Sequence, residues 1–98
     1  MSRIDFAAVN AAALPVLIAL LARWLPEGQR RGHEWMARNP TRADRQPGSF
    51  SINMQTGRWA DFATGDRGGD VVSLAAYLFG LTQVEAARRI AQMLGVRA

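Results

Sequence analysis

The segment that decides the fold is residues 48–62, which read GSFSINMQTGRWADF. Apolar and polar residues alternate at its start, so Phe50, Ile52 and Met54 share one face of an extended strand. Turn-forming residues follow, and the segment returns with a second short alternating stretch. A similar stretch precedes it in the chain. We therefore predict three antiparallel strands, at about residues 33–38, 48–54 and 58–62.

Helical patterns flank this hairpin on both sides. The N-terminal part is rich in alanine and leucine, and Pro15 divides it into two helices because proline is tolerated only at a helix start. Asp70 is placed to cap an apolar helix, and Thr82 with Glu85 fits a capping box for a last one. The chain is thus expected to form a single α+β domain over residues 1–98, with a helical segment at 1–28, a β-ribbon at 32–65 and two helices at 69–95.

Composition excludes several classes of site. The 98 residues include no cysteine and one histidine, so a disulfide framework, an iron–sulfur cluster and a thiolate zinc site are excluded. No nucleophile elbow, metalloprotease motif or phosphate-binding loop is present. We expect a protein with no enzymatic activity of its own, no cofactor and no bound metal.

The apolar N-terminal segment does not have the sequence pattern of a membrane span or of an export signal. The uncharged run over residues 6–22 is shorter than a typical membrane span, and Asn10 and Pro15 interrupt it. We expect a cytoplasmic protein that does not contact membranes and is monomeric in isolation.

Several short motifs of the middle and last segments occur in a recognisable order: Asn39-Pro40, residues 47–52 (PGSFSI), residues 57–62 (GRWADF), Gly68-Gly69-Asp70 and Gly80-Leu81. Over about residues 32–95 this order resembles the N-terminal zinc-ribbon domain of bacterial and phage DNA primases. It is most similar to cysteine-free versions in plasmid and phage primase or helicase proteins. The resemblance implies a small zinc-ribbon-like sheet, here without zinc.

The departure from the family pattern lies at the metal ligands. The resemblance puts Asn39, Arg42, Asp61 and Thr64 where the family has its zinc-binding cysteines and histidine. It also implies an Arg42–Asp61 ion pair, which would contribute only about 0–1 kcal/mol if exposed. A structural zinc contributes about 10–16 kcal/mol in small fingers. We therefore expect the flanking helices to stabilise the ribbon in place of the metal.

Positive charge is concentrated on the ribbon. Residues 30–67 hold seven arginines against four acidic residues, and the whole chain has a net charge of +4. Aromatic residues lie between these arginines; we expect Phe50 in the core and Phe62 partly buried. Single strands are bound by arginine–phosphate contacts and by bases stacked on aromatic rings. The candidate nucleic-acid-binding residues are Trp35, Arg38, Arg42, Arg45, Arg58, Trp59 and Arg67.

The resemblance and the charge together lead to one function and one alternative. The first is a primase-type module that recognises single-stranded template DNA during replication of a plasmid, phage or other mobile element, with catalysis supplied by another domain or subunit. The alternative is a protein-docking module that recruits a separate primase, polymerase or helicase through apolar surface and does not contact DNA.

Overall fold

A computed structural model of the chain describes residues 3–42 and 48–98. Within these residues, helices precede and follow the strands of one antiparallel sheet. The elements in chain order are helix α1 (Phe6–Ala13), helix α2 (Leu17–Trp24), strands β1 (Gln29–Arg31), β2 (Glu34–Ala37), β3 (Phe50–Asn53), β4 (Trp59–Asp61) and β5 (Arg67–Gly68), and helices α3 (Val71–Phe79) and α4 (Gln83–Leu94). The predicted α+β class is confirmed.

The sheet has five strands in the order β1-β2-β3-β4-β5, every neighbouring pair antiparallel. The three predicted strands form its centre. The prediction of a three-stranded sheet was wrong, because two further short strands, β1 and β5, form its edges. β1 is a run of exposed polar residues with no alternation, and it reaches β2 through Gly32, whose φ of +58° favours glycine. β5 is two residues long. Backbone pairing alone creates both strands, so the side-chain pattern does not reveal them.

The helix boundaries follow the expected caps. Asp70 accepts a hydrogen bond from the backbone N–H of Ser73 at 2.8 Å, and Thr82 forms the predicted capping box with Glu85. Gly80 and Gly95 end α3 and α4 in the left-handed conformation. Pro15 lies in a 3₁₀ turn, Leu14–Val16, which joins α1 to α2 and confirms the predicted division of the N-terminal segment.

One face of the sheet packs on the helices. Alternate strand residues turn to this side, including Phe50, which is fully buried as predicted. The large side chains of this core include Val9, Leu17, Leu20, Leu21, Leu25, Trp35, Phe50, Ile52, Met54, Trp59, Val71, Val72, Leu74 and Ile90. Fully burying each large aliphatic residue contributes about 1.5–3 kcal/mol. The core therefore draws its members from both terminal segments as well as from the ribbon.

Two tryptophans hold the helices to the sheet by their indole N–H groups. Trp35 donates to the carbonyl of Leu25 at 3.2 Å, and Trp59 donates to the hydroxyl of Ser73 at 2.9 Å. Each indole lies against a glycine, because a Cβ at Gly28 would lie 1.9 Å from Trp35 Nε1 and one at Gly68 would lie 2.4 Å from Trp59 Nε1. These glycines are required for close approach.

One helical stretch in the described residues, Phe6–Trp24, is long and apolar enough to cross a membrane by length and composition. The buried side chains of this stretch, among them Leu17 and Leu21, join the core described above. Core helices pass the same test of length and composition, so the stretch is weak evidence about location.

Candidate functional site: a polar clasp and an open sheet face

A buried polar cluster joins the end of β2 to the end of β4. Asn39 Nδ2 donates to Asp61 Oδ2 at 2.8 Å, and Arg42 Nε donates to the same oxygen at 2.8 Å. The second carboxylate oxygen of Asp61 accepts from the backbone N–H of Ala63 at 2.9 Å and from Arg42 Nη2 at 3.3 Å. Both oxygens of this buried carboxylate are therefore satisfied.

Tyr77, on α3, extends the cluster to the helical layer. Its hydroxyl accepts a hydrogen bond from Asn39 Nδ2 at 2.8 Å and donates one to Asp66 Oδ2 at 2.8 Å. Its ring packs against Trp59, with ring centroids 4.5 Å apart. The five residues Asn39, Arg42, Asp61, Asp66 and Tyr77 are called the polar clasp below. The clasp ties two strand ends, the loop after β4 and a helix together.

The electrostatics of the clasp depend on Asp61, which is 1% exposed. The Arg42 hydrogen bond and charge, with the Asn39 and Ala63 hydrogen bonds, lower the pKa of Asp61 well below its usual range, although burial opposes this. Arg42 is 30% exposed, so one partner of the pair faces water and the other does not. The predicted ion pair is confirmed, and the condition of exposure under which a small contribution was expected is not met on the Asp61 side.

The clasp occupies the positions that the primase resemblance gave to zinc ligands. Asn39, Arg42 and Asp61 come together, whereas the Thr64 side chain does not join them: its hydroxyl accepts from the backbone N–H of Asp66 at 3.2 Å. The residues that meet do not fit a zinc ion, because Arg42 carries a positive charge and Asn39 Nδ2 is a donor. Among the described residues no three histidine, cysteine, aspartate or glutamate side chains are grouped for a metal ion.

The sheet face opposite the helices carries an accessible concavity, although Ser51 on that face is only 7% exposed. We call it the open face; it forms a shallow concavity of about 670 Å³ whose lining includes Glu34, Ser51, Asn53, Arg58, Ala60, Phe62 and Arg67. Small side chains, Ser51 and Ala60, form its centre, and Arg58 and Arg67 border it. The arrangement leaves room for a flat group over the centre, with positive charge beside it.

The aromatic residue available on this face is not one of those predicted to stack on bases. Trp35 and Trp59 are only 7% and 6% exposed, and their indole N–H groups are already bonded, so each offers little ring surface to a ligand, although Trp59 forms part of the concavity lining. Their assignment as stacking residues stays a prediction, which this burial disfavours. Phe62, expected to be partly buried, is 76% exposed on the rim of the concavity. It lies three residues beyond Trp59, and this odd spacing turns it to the opposite face.

The predicted arginines divide into two groups. Arg58 and Arg67 border the open face together. Arg38 and Arg42 line a separate cavity beside Trp24 at the end of β2, and Arg42 is engaged with Asp61. Arg45 lies outside the described residues. The structure therefore brings together two of the five predicted arginines, and adds Phe62.

Sequence reasoning also missed the roles of Tyr77 and Asp66 in the clasp. Tyr77 is the one tyrosine of the chain and lies in an otherwise apolar helix, VVSLAAYLF. A half-buried hydroxyl in such a helix needs a polar partner. The presence of a tyrosine in this apolar sequence was therefore the signal that could have indicated a polar contact. The identity of that partner depends on the pairing of distant segments.

No protein-family model matches this chain, and no curated protein matches it either. The relation to primase zinc-ribbon domains therefore stays a proposal.

Proposed function

We propose that this chain is a non-catalytic, zinc-less module of the primase zinc-ribbon type, and that it binds single-stranded DNA on its open face. The observation that carries the binding proposal is the shared concavity of Arg58, Phe62 and Arg67, with Phe62 exposed at its rim. An exposed phenyl ring beside two cations is the combination that single strands require: a base stacks on the ring while the cations neutralise phosphates.

The polar clasp supports the proposed relation to zinc ribbons. In a zinc ribbon the metal joins two knuckle loops, and here Asn39, Arg42 and Asp61 join the corresponding loops by hydrogen bonds. The flanking helices add apolar burial, and Tyr77 connects them to the clasp. We therefore attribute the stability of the ribbon to the helices and the clasp acting together.

The proposed role in the cell follows from the resemblance. A module of this type would contact template DNA during replication of a plasmid, phage or other mobile element. Polymerisation or unwinding would be carried out by a separate primase, polymerase or helicase domain or subunit.

The test of DNA binding is a fluorescence-anisotropy titration with a labelled short single-stranded oligonucleotide over a series of salt concentrations. Affinity should fall with salt, and Arg58→Ala with Arg67→Ala should reduce the log–log slope by about 1.4, at about 0.7 per phosphate contact. Phe62→Ala should weaken binding by about 1–3 kcal/mol, the usual contribution of one stacked base.

The matched control is Arg88→Ala with Arg89→Ala, which removes the same charge from the exposed side of α4. Equal losses of slope in the two double variants would mean that net charge, not the open face, binds DNA. Absent binding would end the DNA proposal.

The zinc-less proposal has its own test. Metal analysis of the purified protein should find no stoichiometric zinc, and a chelator should leave the melting temperature unchanged. Stoichiometric zinc or a large chelator effect would refute it.

A second candidate function, protein docking, is favoured by a different surface. A groove of about 380 Å³ lies between α2, α3 and α4, lined mainly by apolar residues that include Trp24, Phe79, Ile90 and Met93. Phe79 is 52% exposed there. If this groove receives a primase, polymerase or helicase, pull-down of a co-encoded candidate should be lost in Phe79→Ser and unaffected by Arg58→Ala with Arg67→Ala. The opposite pattern would exclude docking through this groove.

A further inference from the structure

Glu34, at the start of β2, carries an unsatisfied buried acceptor. Its Oε2 atom is buried and has no hydrogen-bond partner, the one such side-chain atom found in residues 3–42 and 48–98. Polar atoms in protein interiors are almost always paired, because leaving a buried acceptor without a donor destabilises the fold. An exception on a candidate binding surface suggests that a ligand supplies the donor.

The strands beside Glu34 do not supply this donor. Arg31 lies directly opposite on β1 and Asn53 directly opposite on β3. The side-chain oxygen Oδ1 of Asn53 is engaged in the following turn, where it accepts from the backbone N–H groups of Gln55 and Thr56 at 2.9 and 3.1 Å, and the Asn53 amide does not donate to Glu34 Oε2. Arg31 is exposed at the sheet edge and forms no ion pair with Glu34. Glu34 Oε2 therefore has no protein donor, and Glu34 is one of the residues that line the concavity.

Glu34 lies far enough from Phe62 to contact a different nucleotide of the same strand. Phe62 is level with Ser49, the residue before β3, and Glu34 is level with Asn53, four residues further along the chain. At about 3.3 Å per residue this separation is about 13 Å along the strands, and the two strand spacings between β2 and β4 add about 10 Å across them. A DNA strand with one base stacked on Phe62, crossing the small side chains at the centre of the open face, would thus bring another of its bases to Glu34.

We infer that Glu34 reads a base edge on the open face and makes the site prefer cytosine to uracil; this inference rests on the proposed binding of single-stranded DNA. A carboxylate only accepts hydrogen bonds. Cytosine presents an N4 amino group, which donates to it, whereas uracil presents the O4 acceptor at the same place, which a carboxylate repels. The two bases have equal size and similar stacking faces, so a difference in binding affinity between them reports on this one contact.

The experiment compares oligo(dC) with oligo(dU) of equal length by anisotropy titration at mildly alkaline pH, where cytosine is neutral. We expect roughly tenfold tighter binding of oligo(dC), the usual effect of one charge-assisted hydrogen bond. Glu34→Gln should bring the ratio close to one, because a glutamine amide both donates and accepts. Glu27→Gln removes the same charge outside the concavity, at an exposed position, and should preserve the ratio.

The outcomes separate this inference from the proposed function. Salt-dependent binding of both oligonucleotides with equal affinity would overturn the role of Glu34 and leave the open face as a DNA site. A cytosine preference that persists in Glu34→Gln would also overturn it. Failure to bind either oligonucleotide would refute the proposed function itself. The comparison in the unmodified protein requires no variant, so it stands even if Glu34→Gln fails to fold.

Discussion

The two faces of this sheet are made by the same strands but carry different kinds of residue. On the helix side, Phe50 and Trp59 are buried and contact each other edge to face, with ring centroids 6.1 Å apart. On the open side, Phe62 is exposed beside Arg58 and Arg67. Trp59 and Phe62 are separated by only three positions. The comparison shows that the position of an aromatic residue in the alternation, not its type, decides whether it stabilises the fold or is available to a ligand.

The first test of this difference between the faces, with the largest expected effect, replaces one phenylalanine on each face by alanine. Phe50→Ala should destabilise the domain by about 3–5 kcal/mol, because it leaves a cavity in the core. Phe62→Ala should change the free energy of unfolding by less than about 0.5 kcal/mol, since its ring lies in water. Urea unfolding of both variants measures the contrast. Similar losses in the two would mean that the open face is covered in solution.

The second test compares an arginine of the clasp with one of the open face. Arg42→Ala should cost about 2–3 kcal/mol, because it leaves the buried Asp61 carboxylate without its cation, although Arg42 itself is partly exposed. Arg58→Ala should be nearly neutral for stability, as expected for an exposed side chain. The measurement is again the free energy of unfolding. A neutral Arg42→Ala would show that the clasp contributes nothing to stability.

The third test uses two adjacent glycines near the edge of the sheet. Gly68→Ala should destabilise the domain by about 1–2 kcal/mol, because the added methyl group meets Trp59 and Ser73 and forces the buried indole to move. Gly69→Ala is the matched control, since a Cβ there meets nothing within 4 Å. Thermal melts of the pair measure the difference. Equal melting temperatures would indicate that Trp59 is not fixed by this contact.

The last test is a pH dependence that comes from Asp61 and is small near neutral pH. Its pKa is lowered in the folded state, so the unfolded chain binds more protons in acid and stability decreases as the pH falls. The decrease should begin below about pH 4, the ordinary carboxyl pKa, and approach 1.4 kcal/mol per pH unit from this group. Unfolding curves at a series of acidic pH values test it. Asp61→Asn should reduce the slope of stability against pH in this acidic range. An unchanged slope in that variant would assign the pH dependence to other carboxyl groups.

Much of the fold could be predicted because its signals are local. The caps at Asp70 and Thr82, the glycines that end α3 and α4, and the alternation around Phe50 each depend on a few neighbouring residues. The edge strands β1 and β5 could not be predicted, since they are short, polar and formed by backbone pairing.

The sites were predicted less completely. The Arg42–Asp61 pair followed from the primase resemblance, and the structure contains it. Tyr77 joins that pair from a helix 35 or more positions along the chain from Arg42, and no local pattern encodes such a contact. Phe62 was expected to be partly buried, but the alternation that buries Trp59 turns Phe62, one residue beyond β4, away from the core.

The polar clasp also has a consequence for how the molecule reaches its native form. Every bond that joins Asn39, Arg42, Asp61 and Tyr77 arises from groups already present in the newly made polypeptide. The junction needs no ion delivered after synthesis, and the chain has no thiol that an oxidant could attack. The bonds of the clasp itself therefore form without a delivered ion and without disulfide oxidation.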